Sequence, residues 1–249
     1  MTVEERISAA EQKLAPMFAQ IDKIALLNQE KVLRAFREER IALRHFAATT
    51  GYGYGDEGRD ALGRVYARAF GAERAVVSPA LLSGTHALTV ALFGILRPGD
   101  RVLCVSGTPY DTLRGVVWGK GNGSLSDFGI AFDTVPLDEN GKVDCPAVRE
   151  RLRAGGYRMV YLQRSRGYEL RDSFTVDEIG KVCSCVRGSG FSGCIFVDNC
   201  YGEFVEEREP TEVGADLVVG SLIKNPGGGL APTGGYIACL LYTSPSPRD

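Results

Sequence analysis

The chain has 249 residues, 44% of them apolar and 24% charged, with a formal net charge of −2. This composition is ordinary for a soluble globular protein and leaves no basic face broad enough for general nucleic-acid binding. No apolar run reaches the roughly 18 residues of a membrane-spanning helix, and the N-terminal "MTVEERISAAEQKL" is charged and lacks a signal-peptide core. A cytoplasmic protein that works away from membranes and nucleic acid is expected.

Residues 3 to 44 read as helix, with apolar residues three and four apart at Ile21, Ile24 and Ala25 and again at Val32, Leu33 and Phe36. Pro16 is expected to break this stretch into two helices. The glycine-dense "TTGYGYGDEGRD" follows, then a helix over roughly 57 to 70. From there strands and helices alternate. Strands are predicted at 74–79, 101–105, 130–136, 158–163, 194–198 and 215–222, and "GGYIACL" is strand-like. Helices are predicted at 83–96, 111–118, 145–153 and 175–187. Alternation of this kind specifies an α/β fold with a mostly parallel sheet flanked by helices. Ligands of such sheets bind outside the carboxyl ends of the strands. Residues 1–48 are read as an N-terminal helical segment and 49–239 as the large domain. Residues 240–249, Ser/Pro-rich at the end, read as a tail that looks foreign to it.

The seven cysteines show no framework spacing, so reduced, packed thiols are expected. Cys183 and Cys185 form a C-x-C pair with no second Cys/His pair at zinc spacing, and no metal site is predicted.

Gly53, Gly55 and Gly58 match G-x-G-x-x-G, but helix-like sequence precedes them and the later acidic residue is missing, so a dinucleotide site is rejected. What remains is a loop whose Tyr52 and Tyr54 either face a ligand or simply precede a helix. Ser83, Gly84 and Thr85 open an apolar helix, where free N–H groups and hydroxyls can hold an anion; plain capping is the simpler account of that stretch alone. His86 is either a site group or a first-turn residue. Asp198 ends the strand in "CIFVDNCYGEF", placed to meet a cation. Lys224, in "SLIKNPGGG", would by itself be a solvated loop lysine. Taken together, a Schiff-base lysine, an aspartate for a pyridinium nitrogen, and a helix start plus Ser221 for a phosphate make a pyridoxal 5′-phosphate site.

In order, "GYGYGDEGRDAL", "SGTHA", "QRSRGY", "VDNCYGEF" and "SLIKNPGGG" resemble the methionine gamma-lyase-like, aluminium-resistance family. It is a branch of the pyridoxal-phosphate enzymes of aspartate-aminotransferase fold, related to cystathionine beta-lyase. The resemblance runs from about residue 5 to 238. It implies that Lys224 carries the Schiff base and Asp198 keeps the ring nitrogen protonated. It implies that Ser83, Gly84, Thr85 and Ser221 hold the phosphate. Tyr110 stands where relatives stack a tyrosine on the ring, and protonation of a leaving sulfur is a further role for it. Tyr52 and Tyr54 stand where relatives carry Tyr-x-Arg, directed at the neighbouring subunit's phosphate; Tyr54 takes the arginine's place. The resemblance also implies a homo-dimer or tetramer. It implies a small C-terminal domain, absent here, with an arginine for the carboxylate of an amino-acid substrate. The expected reaction is elimination from a sulfur amino acid, giving a thiol, a keto acid and ammonia. Aminotransferase or aldolase chemistry would use the same lysine and aspartate. A non-catalytic binding or stress protein on the same fold is the remaining alternative.

Overall fold

A computed structural model describes residues 1–50 and 55–240. The first helix, α1, runs unbroken from Val3 to Glu38. Thr2 and Glu5 cap it reciprocally, each side chain accepting the other residue's backbone N–H. The expected break at Pro16 is therefore corrected. The carbonyl that Pro16 leaves without a donor belongs to Gln12 on an exposed turn, where solvent satisfies it. The helix also ends earlier than expected, and only a short 3₁₀ turn, Leu43–Phe46, lies between it and the glycine-dense loop. Tyr52 and Tyr54 lie outside the described residues. Asp56 caps α2, Glu57–Ala69, by accepting the Arg59 N–H at 3.0 Å.

The remaining elements fall within a few residues of their expected bounds. They are β1 (Arg74–Ser78), α3 (Gly84–Ile95), β2 (Arg101–Cys104), α4 (Asp111–Trp118), β3 (Ala131–Thr134) and α5 (Cys145–Arg153). Then come β4 (Met159–Gln163), α6 (Val176–Arg187), β5 (Cys194–Asp198), β6 (Leu217–Ser221) and β7 (Gly235–Cys239). One sheet holds the strands in the order β1-β7-β6-β5-β4-β2-β3. All its pairings are parallel except the two made by β7. β4, β5 and β6 are buried along their whole length, which is why they read as unbroken apolar runs. Val160, Leu162, Ile195 and Val197 pack with Ile179, Val182 and Val186 of α6. Met159, Tyr161 and Phe196 pack with Leu88 and Leu92 of α3 and Leu113 of α4. Cys183 and Cys185 are buried on α6. Among the described residues no group of three His, Cys, Asp or Glu side chains is placed to hold a metal ion. Among them, too, no helix is long and apolar enough to cross a membrane.

The connection from β5 to β6 is held from behind by buried polar groups. Arg164, 3% exposed, donates to Asn199 Oδ1 and the Gly202 carbonyl, both at 2.8 Å, and to Glu206 at 2.6 Å. Arg164 is thus a structural brace. Asn199 Nδ2 donates to Glu209 at 3.1 Å and to the Tyr236 hydroxyl at 3.3 Å, and Tyr236 donates to Glu203 Oε1 at 2.9 Å. The Phe70 ring, at the C-cap of α2, closes the cluster against Tyr236 and Phe204, with centroids 4.8 and 5.4 Å away. Burial pushes the Glu203 carboxyl up from 4.5 to about 8, so it stays protonated at neutral pH.

A pH dependence of stability follows. Between about 4.5 and 8 the unfolded chain has released the Glu203 proton while the folded chain keeps it. The group's contribution is therefore fully present below about 4.5 and is lost as pH rises through about 8, by up to about 1.4 kcal/mol per unit. Glu203→Gln keeps an acceptor for Tyr236 without the ionisation. In urea titrations its stability advantage over the native chain should grow from pH 5 to about 8 and then level off; a constant difference across that range would contradict the assignment.

Candidate active site

The carboxyl ends of β4, β5 and β6 and the start of α3 open onto one cavity of about 370 Å³. Seven of the residues singled out from the sequence line it: Ser83, Gly84, Thr85, Tyr110, Asp198, Ser221 and Lys224. The sheet explains why they meet. β1 lies two antiparallel steps from β6, so both strands point the same way and α3 begins at the edge where β6 ends.

Ser83 is the extended cap of α3, and its Oγ accepts the His86 N–H at 3.1 Å. This satisfies one of the helix's open donors and leaves the hydroxyl proton available. The N–H groups of Gly84 and Thr85 have no intrahelical acceptor and carry the positive end of the helix dipole. A Cβ on Gly84 would come within 3.1 Å of Cys200 Sγ and Ser221 Cβ, so glycine is what lets α3 approach the end of β6 this closely. His86 is a first-turn residue: its Nδ1 accepts the Leu82 N–H at 3.1 Å, and it does not line the cavity.

Asp198 is 1% exposed. One oxygen accepts the Cys200 N–H at 3.1 Å and the other the Tyr161 hydroxyl at 3.2 Å. Burial pushes its carboxyl up to about 6, and these hydrogen bonds resist that rise. No cation faces it. Tyr110 caps α4; its N–H donates to Gln163 Oε1 at 3.0 Å and its hydroxyl lies 3.4 Å from Thr85 Oγ1. Burial, and then the Asp198 charge, raise the Tyr110 phenol well above its ordinary range, so it carries its proton. Lys224 sits three residues beyond Ser221 in a turn closed by its own N–H to the Ser221 carbonyl at 3.3 Å. Its Nζ donates to the Tyr201 hydroxyl.

Sequence reasoning missed Tyr161, Gln163, Cys200 and Tyr201. Tyr161 lies in a buried strand, and nothing in "MVYLQ" separates a site residue from core; Gln163 ends that strand and opens the quoted "QRSRGY", which was its available signal. Cys200 and Tyr201 stand inside the quoted "VDNCYGEF", immediately after Asp198, and that proximity was the available signal.

The methionine gamma-lyase family pattern matches residues 3–241. An uncharacterized Bacillus subtilis protein, YnbB, is 48% identical over 230 residues, covering 91% of this chain and 54% of that protein. A Listeria monocytogenes protein of known structure, provisionally named a cystathionine beta-lyase involved in aluminium resistance, is 50% identical with a TM-score of 0.93. That match covers 96% of this chain and 61% of the Listeria chain. The pyridoxal-5′-phosphate-dependent protein YhfS of Escherichia coli shares the fold at 21% identity, with a TM-score of 0.65 over 87% of this chain and 55% of its own. The chain therefore spans between half and two thirds of the length of these relatives. Matched nearly from end to end by one family pattern, and half identical to a structure that superposes on almost all of it, the chain belongs to the methionine gamma-lyase family.

Proposed function

We propose that the chain is the cofactor-binding part of a pyridoxal 5′-phosphate-dependent carbon–sulfur lyase acting on a sulfur amino acid. The observation that carries this is the convergence on one cavity of a lysine, a buried carboxylate with no cationic partner among the described residues, and a helix N-terminus. The residues present fit the cofactor. Asp198 is a buried acceptor that a pyridinium N–H would complete, offsetting the desolvation that now raises its pKa. The Gly84 and Thr85 N–H groups with the Ser83 and Thr85 hydroxyls would hold the phosphate, with Ser221 beside them. The volume lies within the range of small-molecule sites.

When bound, the cofactor supplies an electron sink for chemistry at the amino acid's α-carbon. Asp198 would hold a proton on the ring nitrogen, which would strengthen that sink. Lys224 Nζ would hold the cofactor through its aldehyde carbon, and its amine would serve as the base for the substrate's α-proton. Tyr110, held neutral by burial, is placed to give its proton to the departing sulfur. Elimination releases a thiol, and hydrolysis of the remainder gives a keto acid and ammonia. The relatives' further length is where we place the group that reads the substrate carboxylate, and a homo-dimer or tetramer is the proposed assembly.

Mixing the chain with pyridoxal 5′-phosphate should produce the visible absorption band of a lysine-bound cofactor, and Lys224→Ala should abolish it. Equal, negligible absorption from both proteins would sink the reading. In the complete protein, Asp198→Asn should keep the fold but lower the release of keto acid from methionine or cystathionine by about 100-fold or more, as loss of an electrostatic group in a closed site does. Unchanged turnover would remove Asp198 from the proposed role, and keto acid formed without free thiol would point to transamination.

A further inference from the structure

Tyr201 stands in a conformation that a tyrosine adopts only under constraint. Its φ is +69°, in the left-handed region, and the residue is 59% exposed. The residue thus carries backbone strain without gaining the burial that usually offsets it. The surroundings impose this geometry. Asn225 Nδ2 donates to the Tyr201 carbonyl at 3.1 Å and to the Glu203 carbonyl at 2.9 Å. Gly202 follows, with its N–H on the Asn199 carbonyl at 2.8 Å, and a Cβ there would lie 2.4 Å from Arg164 Cδ. What the conformation achieves is contact with Lys224. The phenol oxygen accepts from Lys224 Nζ, and the ring centroid lies 4.2 Å from the same atom. Asn225, the neighbour of Lys224, therefore grips the backbone of the residue whose side chain holds the lysine.

We propose that Tyr201 is a positioning residue for Lys224, holding its amine at the cavity mouth so that it meets the cofactor aldehyde in one orientation. The proposal deepens the reading given under Proposed function and rests on it for the identity of the aldehyde. The contact between Tyr201 and Lys224 itself does not depend on that reading. The ring face and the hydroxyl act on the same nitrogen, one electrostatically and one as acceptor, so the two parts can be removed separately.

Tyr201→Phe removes the acceptor and keeps the ring. Tyr201→Gly removes both and relieves the positive φ. Two quantities are measured on the native chain and both variants: the rate at which added pyridoxal 5′-phosphate develops the visible band, and the rate at which a small amine reagent labels Lys224 in cofactor-free protein. Labelling is read by peptide mass mapping, with the exposed Lys120 as internal control. Capture should slow about 3-fold or more in Tyr201→Phe and about 10-fold or more in Tyr201→Gly, in line with the loss of one and then two weak polar contacts. Lys224 labelling should rise in the same order while Lys120 stays constant. The melting temperature of Tyr201→Gly should equal or exceed the native value, because glycine accepts the backbone geometry. A purely structural role would lower stability and leave Lys224 labelling unchanged. Native rates of both capture and labelling in Tyr201→Gly would overturn the proposal. If the native chain itself never develops the band, the cofactor reading fails, and the labelling order alone then decides the role of Tyr201.

Discussion

A buried carboxylate that meets no cationic side chain among the described residues is the constraint around which the mouth of the sheet is arranged. Asp198 ends the central strand β5 with both oxygens hydrogen-bonded, yet burial still lifts its pKa toward neutrality. Such a group costs the fold stability unless a cation eventually meets it. Its position follows from strand register. Asp198 pairs with Val219, so β6 runs two residues further to Ser221, and its turn delivers Lys224 to the same edge. The cationic lysine is nonetheless kept off the carboxylate and held by Tyr201 instead. That separation leaves space between them for a group that is electrophilic at one end and basic at the other.

The loop from Asn199 to Glu209 fixes this spacing from behind. Arg164, Asn199, Glu209 and Tyr236 form a connected set of buried hydrogen bonds, and Glu203 joins it as a neutral acid. A network of that kind resists displacement because each member lost leaves another polar group unpaired. Rigidity behind the loop explains how two residues in it, Tyr201 and Phe204, tolerate a positive φ. Phe204 has an evident return, since its ring packs on Phe70 in the core. The return for Tyr201 lies in the site.

Much of this was legible in the sequence. Unbroken apolar runs marked β4, β5 and β6 because a parallel sheet covered on both faces leaves no polar side to its strands. The motif residues were legible because each ends a strand or opens a helix, where chemistry collects in α/β folds. Pro16 misled because a proline's effect depends on whether its freed carbonyl reaches water, and sequence does not carry exposure. Tyr161 was illegible for a related reason: it sits in a buried strand, and its hydroxyl matters through Asp198, 37 residues away in the chain. The strain at Tyr201 is a backbone property, and a tyrosine before a glycine gives no sign of it.

Lys224 is the proposed point of attachment for the cofactor. Borohydride reduction of the chain after incubation with pyridoxal 5′-phosphate, followed by proteolysis and mass spectrometry, tests it most directly. A pyridoxyl group should be fixed on the peptide containing Lys224, in near one-to-one yield, and Lys224→Ala should block it. A pyridoxyl group spread over surface lysines, or found on a different single lysine, would contradict it.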